Sequence, residues 1–306
     1  MNRYKISCGD WSAEVDICRG ANCVSLKNNR YSANILREPT SGGVLDNPYL
    51  YGMPILFPVN RIEGGSFEFE GRKYSFPINE PRTGCHLHGE LHQIPFEIVE
   101  QSNSKIVCRY KAGKGEYIGF PHSFEIIQEY ELKEDGFYHT VTVSNFSEQN
   151  MPVFLGFHTT FNTLFTEKSR AENIRVYADI TEEYERNMEV NYLPTGAKPQ
   201  FDKISLALAN GIYDPFEGKA SRHYRGNEKM SITDLRNRLR VVYENDDKYG
   251  FRLIFNSGDE GYICLEPQTC LANCQNSPFS RSESGFDYIL PHTSKVYASK
   301  IYLEEF

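Results

Sequence analysis

The 306-residue chain has one tryptophan and no run of five or six basic residues, and its 33 Lys and Arg against 41 Asp and Glu leave a formal charge of −8. That balance makes nucleic acid or an anionic membrane a poor partner. No uncharged stretch reaches the ~18–20 apolar residues of a spanning helix. The stretch from Met1 to Asp10 has no apolar core of the kind an export signal needs, so a cytoplasmic chain is expected. Also missing are Gly-x-Ser-x-Gly, Gly-x-x-x-x-Gly-Lys-[Ser/Thr] and a Gly-x-Gly-x-x-Gly run after a strand. Those absences count against serine hydrolase, P-loop and dinucleotide chemistry. Among the eight cysteines, Cys270-x-x-x-Cys274 has no second pair to complete a metal site, and the set reads as reduced structural thiols. With no low-complexity linker and no fixed-period repeat, residues 1–306 read as a single domain.

What the chain has in quantity is aromatic residues, 20 Phe and 20 Tyr, in short runs that alternate with polar residues. That is the period of a half-buried strand. Ser123 to Leu132 puts Phe124, Ile126, Gln128, Tyr130 and Leu132 on one face; Glu134-Asp135-Gly136 supplies a turn, and Tyr138 to Asn145 returns. Ser66 to Phe76 repeats the pattern around Glu70-Gly71, and Leu239 to Phe255 around Asn245-Asp246-Asp247. The best helical candidate is the short stretch Thr159 to Glu167, and the least patterned region, Phe201 to Met230, reads as a loop-rich excursion. The expected class is all-β and antiparallel, as a sandwich or a closed barrel.

Four segments carry candidate chemistry. Asn60-Arg61 ends the apolar run Pro54 to Val59, where an amide and a planar guanidinium can bind vicinal hydroxyls or a carboxylate, or where the arginine stem simply covers a sheet edge. Cys85-His86-Leu87-His88-Gly89, with His92, is the densest imidazole cluster. A cupin-like metal site would need a glutamate where His92 and Gln93 stand, and the other reading makes one imidazole a hydrogen-bond donor to a ligand. His158 lies within Phe154 to Asn162, an aromatic stretch where a histidine is either a satisfied core residue or, beside a cleft, a proton carrier. Glu266, in Ile263-Cys264-Leu265-Glu266-Pro267-Gln268-Thr269, ends an apolar strand, where a charge is costly unless paired or used.

Taken in order, Asn60-Arg61-Ile62, Leu87-His88-Gly89, His158-x-x-Phe161-Asn162 and Leu265-Glu266-Pro267-Gln268-Thr269 resemble motifs of the aldose 1-epimerase (galactose mutarotase) family. Tyr192-Leu193-Pro194-Thr195-Gly196 resembles its proline-threonine-glycine element, and the match runs from about residue 50 to 295. The resemblance implies a large antiparallel β-sandwich with a cleft for a monosaccharide, no metal and no organic cofactor, in a monomer or homodimer. It implies Glu266 as general base, His158 as general acid, and Asn60, Arg61 and His88 as sugar ligands. An aspartate for the distal hydroxyls is also implied, assigned to Asp214 in Ile212-Tyr213-Asp214-Pro215-Phe216. Alternatives within the same fold are a hexose-phosphate epimerase, which needs a further cation such as Arg82, Arg222 or Arg225, and a non-catalytic sugar-binding module.

Overall fold

The computed structural model describes residues 3–40, 47–258 and 260–306; Met1 and Asn2 of the amino-terminal stretch lie outside them. Thirteen strands form one antiparallel sheet, whose path runs Glu97–Gln101, Lys105–Ala112, Phe124–Lys133, Gly136–Asn145, Ser294–Glu305, Leu239–Asn245, Ala220–Asp234, Phe251–Asn256, Tyr262–Gln268, Gly156–Phe157 and Ile55–Leu56. Thr160–Asn162 joins beside Tyr262–Gln268, and Ile174–Tyr184 beside Ala220–Asp234. The path does not close on itself, so the architecture is a sandwich and not a barrel. A four-stranded sheet, Arg3–Cys8, Trp11–Asp16, Asn22–Asn28 and Ala33–Asn34, packs over the Lys105–Ala112 and Phe124–Lys133 strands. One contiguous apolar cluster from Ile6 to Ile301 fills the interior.

The alternation of Phe124–Lys133 is realised as written, with Phe124, Ile126, Gln128, Tyr130 and Leu132 all buried. Its two polar members reach between the sheets: the Gln128 amide donates to the Gly20 carbonyl at 2.7 Å and the Tyr130 hydroxyl to that of Ala21 at 2.9 Å. Register Lys133↔Gly136 leaves Glu134-Asp135 as the turn. The Ser66–Phe69 and Arg72–Ser75 hairpin turns on Glu70 and Gly71, both left-handed, as a two-residue hairpin requires.

Three local expectations are corrected. Leu239 to Phe255 is not a hairpin: Leu239–Asn245 and Phe251–Asn256 run in the same direction along one edge of Ala220–Asp234, while Ile174–Tyr184 occupies the other edge. The Asn245-Asp246-Asp247 turn signal marks an interruption, where Asp246 N–H donates to the Ala298 carbonyl at 2.9 Å and the Asp246 carboxylate accepts the Ala298 N–H at 2.8 Å. Phe201 to Met230 contains a helix, Lys203–Ala209, capped by Asp202, followed by the fifteen-residue strand. That strand is paired on both edges, so its ladder and not a clean alternation carries it. Thr159 to Glu167 holds no helix; Thr160–Asn162 is a strand against Tyr262–Gln268.

The buried cysteines Cys23, Cys85, Cys108, Cys264, Cys270 and Cys274 are reduced thiols, and no helix among the described residues is long and apolar enough to cross a membrane.

Candidate active site

A cleft of about 480 Å³ opens where Ile55–Leu56, Gly156–Phe157 and Tyr262–Gln268 end side by side. Beyond Val59 the chain turns sharply, because Asn60 and His88 both take left-handed backbone angles, φ 63° and 64°. Such angles are strained for residues with a Cβ and persist only when neighbours enforce them. Here they enforce each other: His88 N–H donates to the Asn60 carbonyl at 3.0 Å, and Asn60 N–H donates to His88 Nδ1 at 3.2 Å. The second bond makes Nδ1 an acceptor and leaves the imidazole proton on Nε2. Gly89 completes the corner, since a Cβ there would lie 1.8 Å from the Phe57 carbonyl oxygen.

Glu266 and Gln268 are two apart on one strand and so share its inward face. Both are fully buried. The Gln268 amide donates to Glu266 Oε2 at 3.0 Å and accepts from Asn60 Nδ2 at 3.1 Å, while Glu266 Oε1 has no hydrogen-bond partner and sits 3.2 Å from His158 Nε2. His158 is anchored through its backbone N–H to the Pro54 carbonyl at 3.1 Å. Burial pushes the Glu266 carboxyl up to about 8, against the opposing pull of Gln268, Arg186 and Arg61, and brings the His158 imidazole down to about 4. The pair therefore holds one proton at neutral pH, and burial places it on the carboxyl. Burial likewise holds His88 well below the usual imidazole range.

Around this pair lie further groups, of which Tyr49, Glu80, Arg186 and Met188 were not singled out in the sequence. Tyr49 sets its ring 4.8 Å from that of His88 and 6.0 Å from that of His158. Arg61 forms a two-pronged pair with Glu80, at 2.7 and 2.8 Å, and both Arg61 and Arg82 lie over the Tyr192 ring, at 4.6 and 4.9 Å. A hairpin arm, closed by Glu185–Ala197 backbone bonds and an Arg186↔Pro194 bridge, carries Arg186, Met188 and Tyr192 into the cleft. Gln268 stood in plain view two residues after Glu266. Arg186 and Glu80 had no local signal, because their value comes from where the arm and loop fold back.

Of the six residues expected at the site, Asn60, Arg61, His88, His158 and Glu266 line this one cleft. Asp214 does not. It pairs with Arg175 at 3.4 Å and accepts the Phe216 N–H at 2.9 Å, outside the cleft, because the Tyr213 backbone bonds to Val176 on the far strand. The imidazole cluster does not converge either: His86 Nδ1 bonds the Pro77 carbonyl at 2.8 Å, His92 Nε2 meets the Gln93 amide at 2.9 Å, and His88 Nδ1 is occupied by Asn60. Among the described residues no group of three His, Cys, Asp or Glu is arranged to hold a metal ion.

Residues 12–290 match the family model described as aldose 1-epimerase. The chain belongs to that family. A solved structure of similar build, a galactose mutarotase-like protein from Clostridium acetobutylicum, is 29% identical and superposes with a TM-score of 0.92 over 99% of this chain and 95% of that one. A galactose 1-epimerase from Lactobacillus acidophilus NCFM shares the fold at 14% identity, with a TM-score of 0.74 over 98% and 92% of the two chains. A curated relative, the uncharacterized protein YphB of Escherichia coli K12, is 24% identical over 132 residues, which is 43% of each chain, so the match spans less than half of that relative. Membership in the aldose 1-epimerase family supports an epimerase with a sugar ligand.

Proposed function

We propose that the protein interconverts the α and β anomers of a monosaccharide, with His158 and Glu266 exchanging protons with the sugar. The observation that carries this reading is the contact of 3.2 Å between His158 Nε2 and Glu266 Oε1, buried together at the floor of a cleft lined by hydrogen-bonding groups. Anomer exchange needs one proton removed from the anomeric hydroxyl and one delivered to the ring oxygen. Glu266 as carboxylate takes the first and His158 as imidazolium gives the second. The bond between the anomeric carbon and the ring oxygen breaks, leaving an open-chain aldehyde. Rotation about the adjacent carbon–carbon bond presents the other face, and reclosure returns both protons.

The pair needs one proton in total for this cycle, and its electrostatics supply that count. Burial places that proton on Glu266; sugar hydroxyls donating to the carboxylate favour its transfer to His158. Gln268 holds Oε2, which leaves Oε1 as the oxygen that moves protons. His88 Nε2, Asn60 and Arg186 provide donors for sugar oxygens, and Leu253 and Phe255 an apolar wall for the carbon face of the ring.

The test is anomer exchange by NMR on freshly dissolved α-galactose, α-glucose, α-xylose and α-arabinose. We expect acceleration over buffer that falls by roughly 10²–10⁴-fold in Glu266→Gln and in His158→Asn, with both variants folded and still binding sugar. Near-wild-type turnover in either one refutes the assigned roles.

A further inference from the structure

Arg186 is the anomaly of the site. It is 8% exposed, and its Nη2 is fixed by the Ser221 carbonyl at 2.6 Å and hydroxyl at 2.9 Å, but no carboxylate among the described residues forms an ion pair with it. Buried charges are normally paired, because removing an ion from water without a counter-charge is costly. The acidic groups nearby have other partners, exposed Glu185 among them, which accepts the Thr195 hydroxyl at 2.6 Å. Glu80 is held by Arg61, and Glu183 by Arg222 at 2.6 Å and the Ser205 hydroxyl at 2.6 Å; Asp202 caps a helix and pairs with Arg222 at 2.7 Å. Glu266 is pushed toward its neutral form by burial. Burial lowers Arg186 to about 10, which leaves it charged at neutral pH.

The position of Arg186 gives that charge a use. A second cavity of about 740 Å³ adjoins the cleft, and the two share Arg186, Met188, Ser221 and Phe255 as lining. Neither His158 nor Glu266 lines the second cavity, so a group bound there points away from the reacting carbon. Two further groups face it without a hydrogen-bond or ion-pair partner for their nitrogens among the described residues. His223 is fully buried with neither ring nitrogen hydrogen-bonded, and exposed Lys219 lines the cavity with no ion pair among the described residues.

We propose that the sugar taken by this cleft carries an anionic group, a carboxylate or a phosphate ester, at the end remote from its anomeric carbon, and that Arg186 binds that group at the junction of the two cavities. The proposal rests on the mutarotase reading for the orientation of the sugar. Neutral hydroxyls could accept hydrogen bonds from Arg186 but would leave its charge uncompensated, whereas an oxyanion supplies both the acceptors and the charge.

The experiment compares glucose, glucuronate and glucose 6-phosphate with the full chain, by anomer-exchange NMR and by calorimetric binding, in wild type, Arg186→Gln and Arg186→Lys. The expected result is a kcat/KM at least about tenfold higher for one anionic sugar than for glucose, a ratio that collapses toward unity in Arg186→Gln and partly survives in Arg186→Lys. Preference for glucuronate identifies a carboxylate, and preference for glucose 6-phosphate a phosphate ester. Equal or better turnover of glucose, or a preference that survives in Arg186→Gln, overturns the proposal. If no sugar is interconverted, the mutarotase reading fails by itself. The anion site is then decided by binding alone: tighter binding of an anionic sugar than of glucose, weakened in Arg186→Gln, sustains it, and its absence overturns it. If Arg186→Gln does not fold, Arg186→Lys decides: an unchanged ratio overturns the assignment, and a reduced one sustains it.

Discussion

At the scale of single residues, the site depends on two groups whose protonation is set by burial in opposite directions. Glu266 is raised to about 8 and His158 lowered to about 4, so the one-proton form of the pair prevails between those values. Below about pH 4 both groups are protonated and no base remains; above about pH 8 both have lost their protons and no acid remains. A pH profile of kcat/KM should accordingly be a broad bell with limbs near 4 and 8, which are values of the pair and not of either residue alone. The bond from Gln268 lowers the Glu266 value, so Gln268→Met should move the upper limb upward, by roughly one unit. An unmoved limb would deny Gln268 its orienting role. The same shift bears on stability. A carboxyl whose folded value lies above its unfolded one contributes fully at low pH and loses that contribution as pH rises through the folded value. Glu266→Gln should therefore match wild type below about pH 4.5 and exceed it at pH 9, on the order of 5 kcal/mol, as measured by urea unfolding at the two pH values.

At the scale of elements, the corner Asn60–His88–Gly89 is where the fold commits strain to the cleft. Gly89→Ala places a methyl group against the Phe57 carbonyl at an already left-handed position. It should cost on the order of 3 kcal/mol or more by chemical denaturation and displace His88, with a matching loss of anomer exchange. This corner also shows what the sequence could convey. His88-Gly89 and Asn60-Arg61 are local motifs, and the strands that carry them follow from apolar runs. Their mutual bracing is a contact across 28 positions, which no local pattern records. The hairpins Phe124–Lys133 with Gly136–Asn145 and Ser66–Phe69 with Arg72–Ser75 were legible because one buried face imposes a strict alternation on neighbouring strands. Ala220–Asp234 was not, since its order comes from partners on both edges, and the polar signal at Asn245-Asp246-Asp247 described an interruption as well as it would a turn. Asp214 failed for a related reason: an aspartate in a turn is as well suited to receive its neighbour's N–H and an arginine as it is to receive a sugar.

At the scale of the whole molecule, strands distant in sequence are interleaved in space, so the floor of the cleft is assembled from residues near 55, 157, 253 and 266. The Ser294–Glu305 strand illustrates the consequence. It lies between Gly136–Asn145 and Leu239–Asn245, in the middle of the large sheet and not at its rim. In the order of synthesis, the growing chain carries two long unpaired strand edges until this segment emerges, and unpaired edges are templates for association with other chains. Removing residues 294–305 should therefore yield not a smaller folded protein but aggregates, eluting in the void volume on size exclusion, whereas a trimmed monomer with native circular dichroism would contradict this. For this sheet the period of greatest exposure therefore lasts until residues 294–305 have emerged, well after the two strands they join.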